Sequence, residues 1–319
     1  MSVAWFFPGQ GAQTVGMGRE LFATSAAARG VFERVDAALG EALAKTIFDG
    51  PEDALTLTAN AQPAIVATSC AVLAAIRERL PALSPPAYAA GHSLGEYSAL
   101  VAAEALSLEE AVRVVRARGR AMQDAVPAGM GAMNAIMGIE PARLAELCER
   151  AAQGDVLAPA NFNAPGQIVV AGHASAVARL AELVAAEKGR AISLKVSAPF
   201  HCALMAPAAR VVGAELERLS ISHPRFPVVA NFDATPNSEG GRVKELLVRQ
   251  VDGAVRWEET VRFMAAHGVT HALEIGPGKV LAGLAKRTAK DVKVLSVGDA
   301  AAIDMVASFL ESAAAPAGG

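Results

Sequence analysis

Apolar positions change their spacing several times along the chain, and each change predicts an element. Val3–Phe7 is a short, unbroken apolar and aromatic run stopped by Pro8-Gly9, the mark of a buried strand, and helical spacing resumes at Val15–Leu21. Helical periodicity then covers Ala26–Leu39 and Gln62–Arg79. Another short strand, Ala87–Ala90, runs into GHSLGEY at 91–97. A helix at Leu94–Ala103 follows. A second helix runs to Gln123 from Ser107, whose Glu110 three residues on completes a capping box. Pro127–Gly131 breaks the pattern.

Beyond the break, strand and helix spacings alternate: strand Ala132–Gly138, helix Pro141–Ala152, strands Val156–Asn161 and Gln167–Ala171, helix Ser175–Lys188, strand Ala191–Val196. That βαββαβ order predicts a small ferredoxin-like subdomain over 128–197, inserted into a larger α/β hydrolase-like body with a parallel sheet, built from 1–127 and 198–311. The body resumes with helix Leu204–Leu219, strand Phe226–Asn231, helices Gly241–Gln250 and Glu258–His267, and strand His271–Ile275. The end, 312–319, with its AAAPAGG, reads as a flexible tail.

Composition narrows the function classes. With 53% hydrophobic residues in a chain of 319 there is ample material for a core. The net charge of −3, from 29 basic and 32 acidic side chains, argues against nucleic acid or an anionic membrane as partner. Cys70, Cys148 and Cys202 are odd in number and far apart, which suggests neither a disulfide framework nor a zinc site and fits a reducing compartment. MSVAWFFPGQ has no basic start and a five-residue apolar run, too short for a signal peptide core. Pro63–Ile76 falls short of the ~18 residues that span a bilayer, so a soluble cytoplasmic protein is expected.

The chemistry centres on Gly91-His-Ser93-Leu-Gly95, a G-x-S-x-G between a strand and a helix. A serine hydroxyl becomes a useful nucleophile only when it is held, deprotonated by a neighbour and faced by oxyanion donors. Small residues on both sides allow the sharp turn that pushes Ser93 forward, and the Leu94 N–H at the helix start can face an oxyanion. Of six histidines, His201 in VSAPFHCALM is the best base, on a loop between a strand and a helix. The ring of His92 should point away from Ser93, as a structural hydrogen-bonding residue. His267 and His271 are spaced like a zinc pair, but Gly268 stands where a zincin has its Glu. The only aspartate between Asp124 and His201 is Asp155, badly placed to orient an imidazole, so a carbonyl is a candidate for that role.

Six segments resemble the bacterial malonyl-CoA:acyl carrier protein transacylases and the related acyltransferase domains of polyketide synthases. They are FPGQGAQTVGMG at 7–18, GHSLGEYSALVAA at 91–103, RGRAMQDAVP at 118–127, ANFNAPGQIVVAG at 160–172, APFHCALM at 198–205 and HALEIGPGKVLAGLAKR at 271–287. The resemblance implies a malonyl transfer from malonyl-CoA to the phosphopantetheine thiol of an acyl carrier protein, by a ping-pong mechanism, without a cofactor or metal and in a monomer. Ser93 would be acylated and His201 would be the base. The main-chain carbonyl of Gln250 would hold the histidine, and the Gln10 N–H would join that of Leu94 in the oxyanion hole. Arg118 would pair with the free malonyl carboxylate, a clamp that a planar guanidinium can form and an acetyl group cannot use. Phe200, beside the base, matches the Phe-His pair of malonyl-selecting polyketide acyltransferases; fatty-acid transacylases often carry Ser there.

The alternatives are a trans-acting polyketide acyltransferase, a serine esterase or thioesterase, and a catalytically silent carrier-binding module. Arg118 and the missing acidic partner count against an esterase, and Ser93 with His201 against a silent module. GQGAQT lacks the third glycine of a dinucleotide loop, with Thr14 in its place, and GPGKVLAG at 276–283 lacks phosphate-loop spacing and reads as a strand-to-helix turn. Cys202 reads as a small buried apolar residue. A basic surface of Arg113, Arg116, Lys279, Lys286 and Arg287 is expected to guide an acidic carrier protein.

Overall fold

In the computed structural model, which describes residues 2–314, the strands are β1 (Ser2–Phe7), β2 (Tyr88–Gly91), β3 (Gly131–Met137), β4 (Leu157–Ala164), β5 (Gln167–His173), β6 (Arg190–Ser193), β7 (Val228–Val229), β8 (Pro236–Asn237), β9 (Val269–Ile275) and β10 (Lys293–Val297). They form two sheets, one ordered β10-β9-β1-β2-β7-β8 and one ordered β4-β5-β3-β6. The first is parallel except for the β7–β8 pair; the second is antiparallel throughout.

β1 shows why a parallel sheet needs a continuous apolar run. Its side chains alternate between faces: Trp5 and Phe7 enter one core cluster, Ala4 and Phe6 the other. Trp5 meets Phe226 edge-on at 5.6 Å, and Phe6 meets Trp257 at 5.3 Å. Phe7 is level with Gly91 of β2, so the loops that leave these two strands emerge side by side. Clefts in open α/β sheets form at such carboxyl ends.

The helix Thr58–Arg79 starts four residues before its expected Gln62. It is long and apolar enough to cross a membrane, but 83% of its most apolar stretch is buried inside the fold, packed against helices Ala26–Leu39 and Leu108–Asp124. Pro63 lies inside it and cannot donate to the Ala59 carbonyl; Arg116 fills that gap, its Nη1 donating to Ala59 O at 2.7 Å. The capping box at Ser107 and Glu110 is formed in both directions.

Several boundaries differ from expectation. Residues 15–18 are turns, because Gly16 and Gly18 adopt left-handed φ of 92° and 74°, and the helix begins only at Arg19. The strand expected over Phe226–Asn231 shrinks to Val228–Val229, since Pro227 has no N–H for a ladder. β10 was missed. The last helix runs Val306–Ala314, through part of the expected tail, because Val306, Phe309, Leu310 and Ala313 keep helical spacing against the body. Residues 315–319 of that tail lie outside the described residues.

The antiparallel sheet carries helices Pro141–Ala152 and Ala174–Ala186 on one face, over a core of Ile136, Leu144, Leu147, Ile168 and Leu180. From its other face Met133, Ala135, Val169 and Ala171 join the main core of the body. β4 is also tied to the body by backbone hydrogen bonds, from Phe162 N to Val255 O and from Val255 N to Ala160 O, both 2.9 Å. These contacts hold the antiparallel sheet as one wall of a cleft whose floor is the carboxyl end of the parallel sheet.

Candidate active site

Ser93 stands at the β2-to-helix turn with φ 52°, a left-handed conformation that non-glycine residues seldom adopt. The turn is so tight that a Cβ on Gly91 would lie 1.9 Å from the Gly95 carbonyl carbon, and one on Gly95 would lie 2.3 Å from Phe7 O. Asn231 locks it: Ser93 N–H donates to Asn231 Oδ1 at 2.6 Å, and Asn231 Nδ2 donates to Gly91 O at 2.7 Å. Ser93 is buried at the cleft floor, 8% exposed.

His201, from the loop after β6, places Nε2 2.8 Å from Ser93 Oγ and Nδ1 2.8 Å from Gln250 O. The carbonyl can only accept, so Nδ1 carries the hydrogen, Nε2 has the lone pair, and the Ser93 hydroxyl donates to it. His201 also holds a left-handed φ of 60°. Burial, then the nearby Arg118 charge, pushes its pKa down to about 3, so the ring is neutral at pH 7. The expected trio of Ser93, His201 and the Gln250 carbonyl is thus brought together, and no carboxylate takes the orienting role.

Arg118 is 1% exposed. Its Nη1 donates to Gln62 Oε1 at 2.7 Å; its Nη2 donates to Ser93 Oγ and Gln250 Oε1, both at 3.0 Å. Its guanidinium lies 5.9 Å from the Tyr97 ring centroid. All its hydrogen-bond partners among the described residues are neutral, and its buried Nε has none. Such a cation is costly unless something anionic meets it.

The cleft has a volume of about 630 Å3; Gln10, Gln62, Arg118, Met122, Phe200 and His201 are among the side chains lining it. The backbone amides of Gln10 and Leu94 have no hydrogen-bond acceptor among the described residues. Gln10 is held by its side chain, which donates to Thr58 Oγ1 at 3.3 Å; that hydroxyl is 2.7 Å from Ser197 Oγ. A larger cavity, about 870 Å3, opens elsewhere beside Arg34, Cys70 and Arg77. It contains no histidine, and burial pushes the Cys70 thiol up to about 12.

Other candidates fall into place. His92 lines the same cleft, with its Nε2 committed to Asn163 Oδ1 at 2.8 Å. The Cys202 thiol donates to Pro199 O, and burial raises its pKa to about 11, too high for a nucleophile. His267 stacks on Phe263 while His271 packs against Phe309, so they do not converge. Arg116, expected on a basic docking surface, is buried instead and committed to Glu41, Asn60 and Ala59, because Pro63 leaves a carbonyl it must satisfy. Arg113 donates to Ala38 O and Arg287 to Pro165 O and Gln167; Lys279 and Lys286 are exposed.

Three residues of the site were missed. Gln62 and Glu96 carried a faint signal, each a polar side chain inside an apolar helical run. Asn231 carried none.

Comparison with known proteins shows the family. Residues 4–308 match the family described as the acyl transferase domain. The chain is 46% identical over 285 residues to the malonyl CoA-acyl carrier protein transacylase of Escherichia coli (strain K12), covering 89% of this chain and 92% of that protein. It is similar to the crystal structure of an acyl-carrier-protein-S-malonyltransferase from Bartonella henselae, with TM-score 0.94 and 46% identity, covering 98% of this chain and 100% of that one. It is also similar to a malonyl-transacylase solved in complex with its type II PKS acyl-carrier protein, with TM-score 0.93 and 40% identity, covering 98% and 100% of the two chains.

Proposed function

The chain belongs to the acyl transferase domain family, and on that premise we propose that it is an acyl-carrier-protein S-malonyltransferase. It moves the malonyl group of malonyl-CoA onto the phosphopantetheine thiol of an acyl carrier protein through a malonyl-Ser93 ester. One observation carries the substrate choice: Arg118 is a fully buried cation with neutral partners and an orphaned Nε, 3.0 Å from the nucleophile. A free carboxylate on the acyl group supplies the missing anion.

The chemistry follows from the hydrogen bonds. His201 Nε2 takes the proton of Ser93 as Oγ attacks the thioester carbonyl. The oxyanion is met by the N–H groups of Leu94 and Gln10. As the tetrahedral intermediate collapses the C–S bond breaks, and the proton on His201 passes to the departing coenzyme A sulfur. The phosphopantetheine thiol then gives its proton to His201, attacks the ester and leaves as the malonyl thioester, while Ser93 recovers its hydrogen. Gln250 O stabilises the imidazolium formed on the way, in the place where hydrolases use Asp. The Phe200 ring, in the same cleft, disfavours a methyl branch on the α-carbon by about 1–3 kcal/mol.

The reaction calls for no cofactor. Ser93, His201, Gln250, Leu94, Gln10 and Arg118 together form the site, and we take the working unit to be a monomer. Three buried, unpaired cysteines suit a reducing cytoplasm. The strand order β4-β5-β3-β6 supports a ferredoxin-like subdomain inserted at 128–197. The clamp is tested by Arg118→Ala: malonyl transfer should fall by about 100-fold or more, and acetyl transfer far less. Equal losses with both acyl groups would reject it.

A further inference from the structure

We infer that Glu96 is a positioning residue for the carboxylate clamp: by fixing the side-chain amide of Gln250, it aims Arg118 at the free carboxylate of the acyl group. This role rests on the Arg118 clamp proposed above. Gln250 is fully buried and serves both halves of the site. Its backbone carbonyl holds His201, and its side chain reaches Arg118.

An amide can sit either way round, so its neighbours must choose. Here Nε2 donates to Ser93 O at 2.9 Å and to Glu96 Oε2 at 2.8 Å, which turns Oε1 toward the Arg118 Nη2. With the amide reversed, its N–H groups would face the guanidinium and its oxygen would face two acceptors. Of the two acceptors that forbid this, only Glu96 belongs to a side chain. Glu96 is itself fixed from another direction, since Asn231 N–H donates to the same Oε2 at 2.9 Å. It is 3% exposed and rides on helix Gly95–Ala102, three residues after Ser93, so the helix into which the nucleophile's turn opens also sets the clamp. Glu96 acts through Gln250. Burial pushes its carboxyl up to about 7, and a proton on Oε1 leaves Oε2 free to accept, so the hold persists in both protonation states.

The test compares kcat and KM for malonyl-CoA and acetyl-CoA in the wild type, E96M, E96Q, Q250M and R118A. Met at 96 keeps the volume and removes the acceptor; Met at 250 removes the amide and keeps the carbonyl on His201. Both should raise KM for malonyl-CoA and lower malonyl kcat/KM about 10-fold or more beyond any loss with acetyl-CoA. E96Q, whose amide oxygen can replace Oε2, should recover to within about threefold of wild type. Equal losses with both substrates in E96M and Q250M, or none, overturn the role of Glu96 while R118A remains selective. If E96M does not fold, E96A, which also removes the acceptor, is read against the same outcomes. If R118A itself lowers both activities equally, the clamp falls and this role with it.

Discussion

Two strands of the parallel sheet, β2 and β9, end in glycine-bearing turns that open into helices, and they use the helix start in opposite ways. After β9 the sheet supplies its own anion: Glu274 is buried, and its carboxylate accepts Leu281 N–H at 2.8 Å, Ala282 N–H at 3.1 Å and the Ser296 hydroxyl at 2.7 Å. After β2 the Leu94 amide is left open and a serine is aimed beside it, with a neutral imidazole 2.8 Å from its oxygen. A strand, a tight turn and a helix are therefore architecture common to both sites. Chemistry arises where the fold leaves a donor unfilled and brings a base to it from far along the chain.

The contrast can be attacked at either turn, and the largest effect is at β2. Ser93→Ala should lower malonyl transfer by more than about a thousandfold with the fold intact, because it removes the hydroxyl that is hydrogen-bonded to the base. Residual transfer near wild type would move the acylation site elsewhere. Gly91→Ala, whose new Cβ would lie 1.9 Å from the Gly95 carbonyl carbon, should cost on the order of 3 kcal/mol or more, read as a lower urea midpoint. An unchanged midpoint would mean the elbow is looser than described. At the other turn Glu274→Ala should cost about 1–3 kcal/mol of stability by uncapping the helix, while the folded enzyme keeps its acylation rate. Loss of acylation at full stability would mean that this turn also serves the reaction.

The smallest expected effect is with pH. The folded-state pKa of His201 lies below its ordinary value, so the neutral base persists as pH falls and is lost only near about 3. The kcat/KM for acylation should therefore show no inflection near pH 6.5 between pH 5.5 and 8. A limb centred near 6.5 would show that burial and Arg118 do not depress the ring as described.

Much of this was legible in the sequence, for reasons particular residues make plain. Local rules are strong where sterics leave one solution: the glycines at 91 and 95, the apolar run of β1 and the Ser107 box each announced their structure. The serine and histidine were visible as chemistry, but their meeting across more than a hundred residues came through resemblance, since spacing alone carries no distance. Arg116 looked like Arg118 because both are arginines on one helix; Pro63, on another helix, is what buries Arg116. Asn231 was silent, and Glu96 and Gln62 nearly so, because their roles are defined by what packs against them. β7 was overestimated since Pro227 cancels a ladder that its valines suggest.

The most direct test of acyl transfer through Ser93 is intact-protein mass measurement after mixing with malonyl-CoA, followed by addition of a holo acyl carrier protein. The enzyme should gain one malonyl group on Ser93, then lose it as the carrier's phosphopantetheine thiol gains it. No adduct on Ser93, or release of free malonate while the carrier stays unloaded, would contradict the account.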